Sequence, residues 1–445
     1  MKTTLLGLAL AVLLAPSGPA SAKIGTIDDV PAATLLLPYF EVDLGKLDGI
    51  TTLFSINNAS PNAALAHVVV WTDHSIPTLA FDVYLTGYDV QTINLRDIFG
   101  GTLPQTADAR LDRGDTLSPN SGPAQNPPAD VDFPGRMGPC SRPADPFPSP
   151  TLTAATVEHL RNAHTGKPSP LLGGLCAGAD YGEGYDLARG YVTVDVVRSC
   201  SLAIPSDPGY ASLLAFDNVL WGDYFYANAA ESYAQGETLV AVEACKPGET
   251  TDRCPFKPGA YTFYGRYSQA DAKDQREPLA TSFVTRYVNG GAFNQGTDLI
   301  VWRDSKFLNT NTNAPHSCNL STDSSYLSQA AIYSFDEWEH SSELCVNGDY
   351  VLPVFRDNTC FPLATQRIDL EGGNIIANDA TPPYSFGWMY LDLNHKKPDS
   401  LFGTTAQAWV TTVMSAAGRF SVGFDAIQLD NAGDGTPGGG VNPRR

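Results

Sequence analysis

Three carboxylates, Asp180, Glu183 and Asp186, stand close together in "DYGEGYDLARG", a glycine-rich approach to an apolar run. Carboxylate oxygens on a pliable loop are hard ligands, so calcium is the cofactor this stretch suits. Calcium takes about six to eight oxygens, of which three carboxylates supply only part, and the spacing is not that of an EF-hand loop. A solvated acidic turn is the competing expectation. A second cluster, "SFDEWEHSSE" at 334–343, holds Asp336, Glu337, Glu339, His340 and Glu343. A hydrolase acting on glycans would set two such carboxylates across a cleft with their pKa values driven apart. Strand alternation splits this set between two faces, which favours a solvated edge. His159 and His164, five apart on a helical pattern, point about 140° from each other, so they do not form a ligand pair and are expected at the surface.

Most ready-made catalytic signatures are missing. There is no G-x-S-x-G elbow, no H-E-x-x-H and no Walker or dinucleotide-binding glycine loop. What recurs instead is a strand: "GYVTVDVV" at 190 and "GWMYLDLN" at 387 each begin with Gly and an aromatic and place Asp sixth, at Asp195 and Asp392. By alternation Val192, Val194 and Val196 share one face, as do Met389, Leu391 and Leu393, and that face is the expected core. Tyr191 and Asp195 in one copy, and Trp388, Tyr390 and Asp392 in the other, then point outward. An aromatic beside a carboxylate is either a sugar-facing patch or a structural hydrogen bond to a neighbouring loop. Of the six tryptophans, core packing is expected for most, Trp221 and Trp409 included.

The elements that must carry these residues are strands. Gly and Pro together number 73, and short β-branched or aromatic runs such as "TTLFSINN", "AHVVVWTDHS", "FDVYLTGY", "ETLVAVEA", "AYTFYGRY" and "TDLIVWRD" end in turn residues. The chain also echoes itself in order. "PAATLLLPYF" at 31 returns as "PLATSFVTRY" at 278, "TTLFSINN" at 51 as "TDLIVWRD" at 297, "QTINL" at 91 as "QRIDL" at 366, and "NVLW" at 218 as "AQAW" at 406. A period this long means a duplicated domain, not a solenoid. The reading is all-β: two tandem antiparallel β-sandwiches, Ig-like or jelly-roll-like, over 23–267 and 278–430, with a junction at 268–277 and a tail at 431–445. Between "QTINL" and "GYVTVDVV" the first copy carries an insertion of about 96–189. Eleven of the 33 prolines fall in 101–150, and "TAATVEHLRNAHTG" follows as the one convincing helix, N-capped by Thr153 with Gly166 at its C-cap.

Residues 1–22 have the three parts of a secretory signal peptide: Lys2, the apolar stretch Leu5 to Leu14, and Ala20-Ser21-Ala22. Export to the periplasm or the exterior is expected, with no transmembrane segment. Eight cysteines fit an oxidising compartment. Cys245 with Cys254 is the expected local bridge, followed by Cys140 with Cys176 and Cys345 with Cys360, leaving Cys200 to reach Cys318. The formal charge of -20 disfavours nucleic acid and anionic lipid as partners, and open sheet edges would permit self-association.

"LLLPYFEVDL", "TTLFSINNAS", "FDVYLTGYDVQTINLRDIFGG", "RGYVTVDVV" and "GTDLIVWRD" together resemble a group of exported bacterial β-rich proteins with no assigned activity. That resemblance implies export and supplies no catalytic residues. The sequence therefore points to a non-enzymatic surface or matrix protein that binds a glycan or protein partner or serves as a structural module. A secreted glycan hydrolase working through carboxylates near the insertion is the alternative.

Overall fold

The structure is a computed structural model, and it describes residues 30–104, 151–181, 186–199, 201–245, 261–306, 313–318, 327–338, 340–344, 361–370, 384–416 and 420–429. The expected signal peptide, proline-rich stretch and tail lie outside the described residues.

The first half runs β1 (Thr34–Asp43), β2 (Thr51–Asn58), β3 (Ala64–Thr72), β4 (Pro77–Leu85), β5 (Val90–Asn94), α1 (Leu95–Phe99), α2 (Ala154–His164), β6 (Leu187–Val196), β7 (Leu220–Trp221), β8 (Asp223–Asn228), β9 (Tyr233–Thr238) and β10 (Val240–Val242). A single helical turn, α3 (Gly265–Ser268), leads to the second half: β11 (Ser282–Gly290), β12 (Thr297–Arg303), β13 (Gln329–Asp336), β14 (Ser341–Glu343), β15 (Thr365–Asp369), β16 (Tyr384–His395), β17 (Ala408–Ala416), β18 (Phe420–Asp425) and β19 (Ile427–Gln428). All the paired strands are antiparallel. One sheet of the first half has the order β10-β1-β6-β3-β4 and the other β5-β2-β8-β9, with β7 beside β2. The second half repeats both, as β19-β11-β16-β13-β14 and β15-β12-β17-β18. The protein is an all-β, two-domain sandwich-like fold, and its duplication is written into the strand order.

The recurrent glycine has a steric cause in both copies. Gly190 lies opposite Phe40 on the neighbouring strand, and Gly387 lies opposite Tyr287. A Cβ on Gly190 would come within 2.0 Å of the Trp71 carbonyl oxygen, and one on Gly387 within 2.0 Å of the Phe335 carbonyl oxygen. With no side chain there, the strands close up and the adjacent aromatics stack: Trp71 on Tyr191 with centroids 5.6 Å apart, Phe335 on Trp388 at 4.1 Å.

Val192, Val194 and Val196 do enter the core between the two first-half sheets, with Leu35, Val68, Phe54 and Ile56. The opposite face of β6 corrects the expectation of an outward row. It lies under a second core, built from Leu36, Val69, Trp71 and Tyr191 together with Tyr210, Phe216, Phe263, Tyr264 and Tyr267, and with Trp302 and Trp409 of the second half. Residues 261–267 of "AYTFYGRY" supply much of that cover, not as a strand but as a turn leading into and forming α3. Its aromatics matched strand composition because they pack flat on a sheet without joining its ladder.

Other expectations need adjusting. Cys176 is bonded to Cys318, which rules out the pairings of Cys140 with Cys176 and of Cys200 with Cys318; spacing along the chain cannot reveal a bridge between the insertion and the second half. Cys245 is also disulfide-bonded. Cys140, Cys200, Cys254, Cys345 and Cys360 lie outside the described residues. Thr153 caps α2 by accepting from the Thr156 N–H, as expected, while the C-cap is Thr165, with Gly166 following at φ 69°. His159 and His164 are buried and not at the surface, because α2 packs against β4 and β6. Their rings bond Ser169 Oγ at 2.7 Å and Thr78 Oγ1 at 2.8 Å. Trp409 is buried, but its counterpart Trp221 is 44% exposed and so is not core. No helix among the described residues is long and apolar enough to cross a membrane.

Candidate functional site

The residues singled out for chemistry do not assemble into one pocket. Asp186 is exposed and paired with Lys167 at 2.7 Å. It precedes β6, whereas Asp195 lies near the far end of that strand, about 30 Å away at some 3.3 Å per residue. Asp180 is exposed and Glu183 lies outside the described residues. Among the described residues no group of three His, Cys, Asp or Glu side chains could hold a metal ion. In the 334–343 cluster Asp336 ends β13 and accepts from the Trp338 and His340 N–H groups, both at 2.8 Å, which fixes the turn into β14. Those two bonds and the His340 ring hold its carboxyl below the usual range in spite of what little burial it has.

Asp195 is fully buried. Its neighbours across the ladder are Thr34 and His67. It accepts from Thr34 Oγ1 and Tyr210 Oη, each at 2.5 Å, and from Arg276 Nη1 at 3.0 Å. Arg276 in turn grips Asp274 through Nε and Nη2, both at 2.9 Å, and lies 4.1 Å over the Tyr264 ring. This carboxylate therefore anchors the 268–277 stretch to the outer face of the first sheet. His67 beside it has Nδ1 2.8 Å from Asp82 and Nε2 2.9 Å from the Ala203 carbonyl oxygen. A carboxylate and a carbonyl oxygen both accept, so the arrangement favours a ring that donates from both nitrogens, the imidazolium form. Burial opposes that charge, but Asp82 outweighs it and the His67 pKa is raised. Tyr191 is buried too, donating to Ser75 Oγ at 2.9 Å. In the second copy Asp392 is half-buried and accepts from Asn394 Nδ2 at 2.9 Å, Tyr390 is buried, and Trp388 keeps 39% of its surface exposed.

A polar groove of about 620 Å³ opens elsewhere, where the two halves meet. One wall is the end of β1 and β6. Glu41 and Arg189 face each other across that ladder, with Nε 3.2 Å from Oε1, and the guanidinium lies 3.9 Å over the Tyr181 ring. Tyr181 donates to Asp73 at 3.2 Å, and burial pushes the Asp73 carboxyl up to about 6. Asn228 and Tyr233, flanking the β8–β9 turn, close that side. The other wall comes from β12 and β15. There Asp298 and Asp369 stand directly opposite, an unfavourable like-charge pairing that Arg367 relieves from the diagonal position. Arg367 grips Asp298 through Nε at 2.7 Å and Nη2 at 2.5 Å. Burial raises the Asp298 pKa against the pull of that guanidinium.

The walls are held at a fixed spacing by the β3–β4 turn, "TDHS". Second-half residues reach three successive positions of it: the Ala364 N–H donates to the Asp73 carbonyl at 2.8 Å, Asn313 Nδ2 to the His74 carbonyl at 3.0 Å, and Ser305 Oγ to Ser75 Oγ at 2.8 Å. The Cys176–Cys318 bridge ties the insertion across the same junction, five residues before Tyr181.

Sequence reasoning missed the groove, yet a signal was present. Aligned by the echoes, Thr52 becomes Asp298, Thr92 becomes Arg367 and Asn94 becomes Asp369. The groove charges of the second wall stand where the later copy departs from the earlier one. No protein-family model, curated protein or solved structure matches the chain.

Proposed function

We propose that this is an exported, non-enzymatic binding protein that holds a glycan or protein partner in the groove between its two sandwiches. The observation that carries the reading is the groove itself: a polar cleft whose walls come from both halves and whose spacing is fixed by the "TDHS" turn. Its volume falls in the range of ligand sites, roughly 300 to 1,000 Å³. Preformed walls favour binding because less ordering is needed when the ligand arrives. Export rests on the signal-peptide pattern together with the disulfide bonds.

The hydrolase alternative is less well supported. The carboxylates near the insertion do not share a pocket, and in the groove Glu41 and Asp298 are each ion-paired with an arginine. Gln295, exposed in the turn before β12, lines the groove. Thermal-shift and calorimetric titration of the secreted chain against glycans and matrix proteins should reveal a ligand whose binding Gln295→Trp abolishes while leaving the melting temperature in place. Binding that ignores Gln295→Trp, or release of new reducing ends from a glycan, would overturn the reading.

A further inference from the structure

The two halves meet through unlike faces. The second half brings the outer side of its β15-β12-β17-β18 sheet: Trp302 and Trp409, opposite each other across the ladder, join the outer core of the first half, and Trp302 meets the Tyr191 ring edge-on at 5.9 Å. Ile300 and Val413 reach the first half's inner core. The first half brings the outer side of the β6 sheet, with its Trp71–Tyr191 stack, and the β3–β4 turn. A contact between two different faces is heterologous, and it uses up one face of each kind. Each half has both sheets, so one face of each kind is left over.

Both leftover faces expose large apolar side chains. On the first half, Trp221 faces Asn57 as Trp409 faces Trp302, and Val90 faces Asn57 as Thr365 faces Trp302. Thr365 and Trp409 are buried against the other half, as are Leu363, two residues before the one, and Val413, four after the other. Their counterparts Val90, Trp221, Tyr88 and Phe225 are all exposed, by 44 to 58%. A cavity of about 380 Å³ opens beside Trp221, lined by Val30, Pro31, Leu35, Ala59 and Leu239. On the second half, Phe335 faces Trp388 as Trp71 faces Tyr191, and Ile427 faces Val284 as Val240 faces Leu36. Tyr191 and Val240 are buried, whereas Trp388 and Ile427 are 39% and 67% exposed. The turn after β13 holds Trp338, 70% exposed, in the place that "TDHS" takes after β3.

Clustered apolar side chains in solvent mark interaction surfaces. We infer that copies of this chain dock head to tail, the Trp388 and Trp338 face of one molecule receiving the Trp221 and Val90 face of the next, as the two halves receive each other within one chain. A second copy is the occupant because each exposed face is the counterpart of one that already has its partner inside the molecule. Repetition of a heterologous contact gives an open series or a closed ring. None of the exposed residues lines the groove, so the assembly stands or falls independently of the groove reading.

The test is sedimentation velocity of the purified chain from micromolar to millimolar concentration, with two double variants. The unaltered chain should form dimers or larger species, favoured by added salt, because the net charge of -20 repels like chains and salt screens it. Val90→Ser with Trp221→Ser removes one face, and Trp338→Ser with Trp388→Ser the other; each pair should weaken self-association tenfold or more. If Trp388→Ser lowers the melting temperature, Trp338→Ser with Ile427→Ser replaces it, since both of those side chains stand mostly in solvent. Mixed in equal amounts, the two variants should form a one-to-one complex and nothing larger, because each keeps the face that the other lacks. An unaltered chain that stays monomeric at millimolar concentration, a variant that associates as well as the unaltered chain, a mixture that stays monomeric, or association that loosens in salt would overturn the assignment.

Discussion

Replacing Arg276 with Met tests whether the buried carboxylate of the repeated strand is architecture. The guanidinium makes one bond to Asp195 and two to Asp274, and its removal leaves both carboxylates buried on the outer face of the first sheet without that counter-ion. Breaking a buried pair by deleting one partner costs about 3 to 5 kcal/mol, more than the pair contributes over an apolar replacement, because an uncompensated charge stays behind. Arg276→Met should therefore lower unfolding free energy by about that amount at neutral pH, measured in urea with tryptophan fluorescence and far-UV circular dichroism followed together. The sign of the pH dependence is fixed as well. A folded state holding two uncompensated carboxylates gains by taking up a proton that the unfolded state does not hold, so the deficit should shrink as pH falls. Adding Asp195→Asn to Arg276→Met should recover part of the loss. A deficit under about 1 kcal/mol, or one that widens in acid, would refute the view that this ion cluster fastens the junction segment to the sheet.

Two other outcomes follow from the same packing. His67 has a raised pKa, so the stability it contributes is complete below its unfolded value of about 6.5 and is lost as pH rises through the folded value; His67→Gln should flatten that alkaline slope in pH-dependent urea melts, and an unchanged slope would count against the imidazolium. Gly190→Ala and Gly387→Ala should each destabilise by at least about 1 to 3 kcal/mol, since each Cβ would strike a carbonyl oxygen of the next strand, and a neutral result at either position in a thermal melt would argue against equivalence of the two copies.

The β-rich class, the duplication and the valine face of β6 were legible because they rest on local alternation and on echoes in order. What alternation cannot say is what lies over the second face of a sheet. Tyr191 and Asp195 read as outward because the segments that cover them, around Tyr210 and from Phe263 to Tyr267, are remote in sequence and irregular in backbone. The Cys176–Cys318 bridge escaped for a related reason: it spans 142 residues and joins two loops that only the docking of the halves brings together. The Glu41–Arg189 pair needed a register that no spacing rule supplies, because β1 carries an irregularity between Leu37 and Phe40.

The two copies differ in charge at the groove. Each half has the same two sheets, but β15 carries Arg367 and Asp369 where β5 carries Thr92 and Asn94. Thr92 and Asn94 on β5 face no second half, and Thr51 Oγ1 donates to Asn94 at 2.8 Å in a neutral contact. Their counterparts on β15, Arg367 and Asp369, sit across from Glu41 and Tyr39 in the groove. A charged pair such as Arg367 with Asp298 gains little over Thr and Thr for sandwich stability once the cost of burying it is counted. What it gives instead is a polar, charged wall at fixed orientation, the feature on which the proposed binding role rests. The divergence of the copies and the polar cleft therefore fall at the same place, while Asp195, which looked like the better candidate for chemistry, holds the first sheet and the junction segment together.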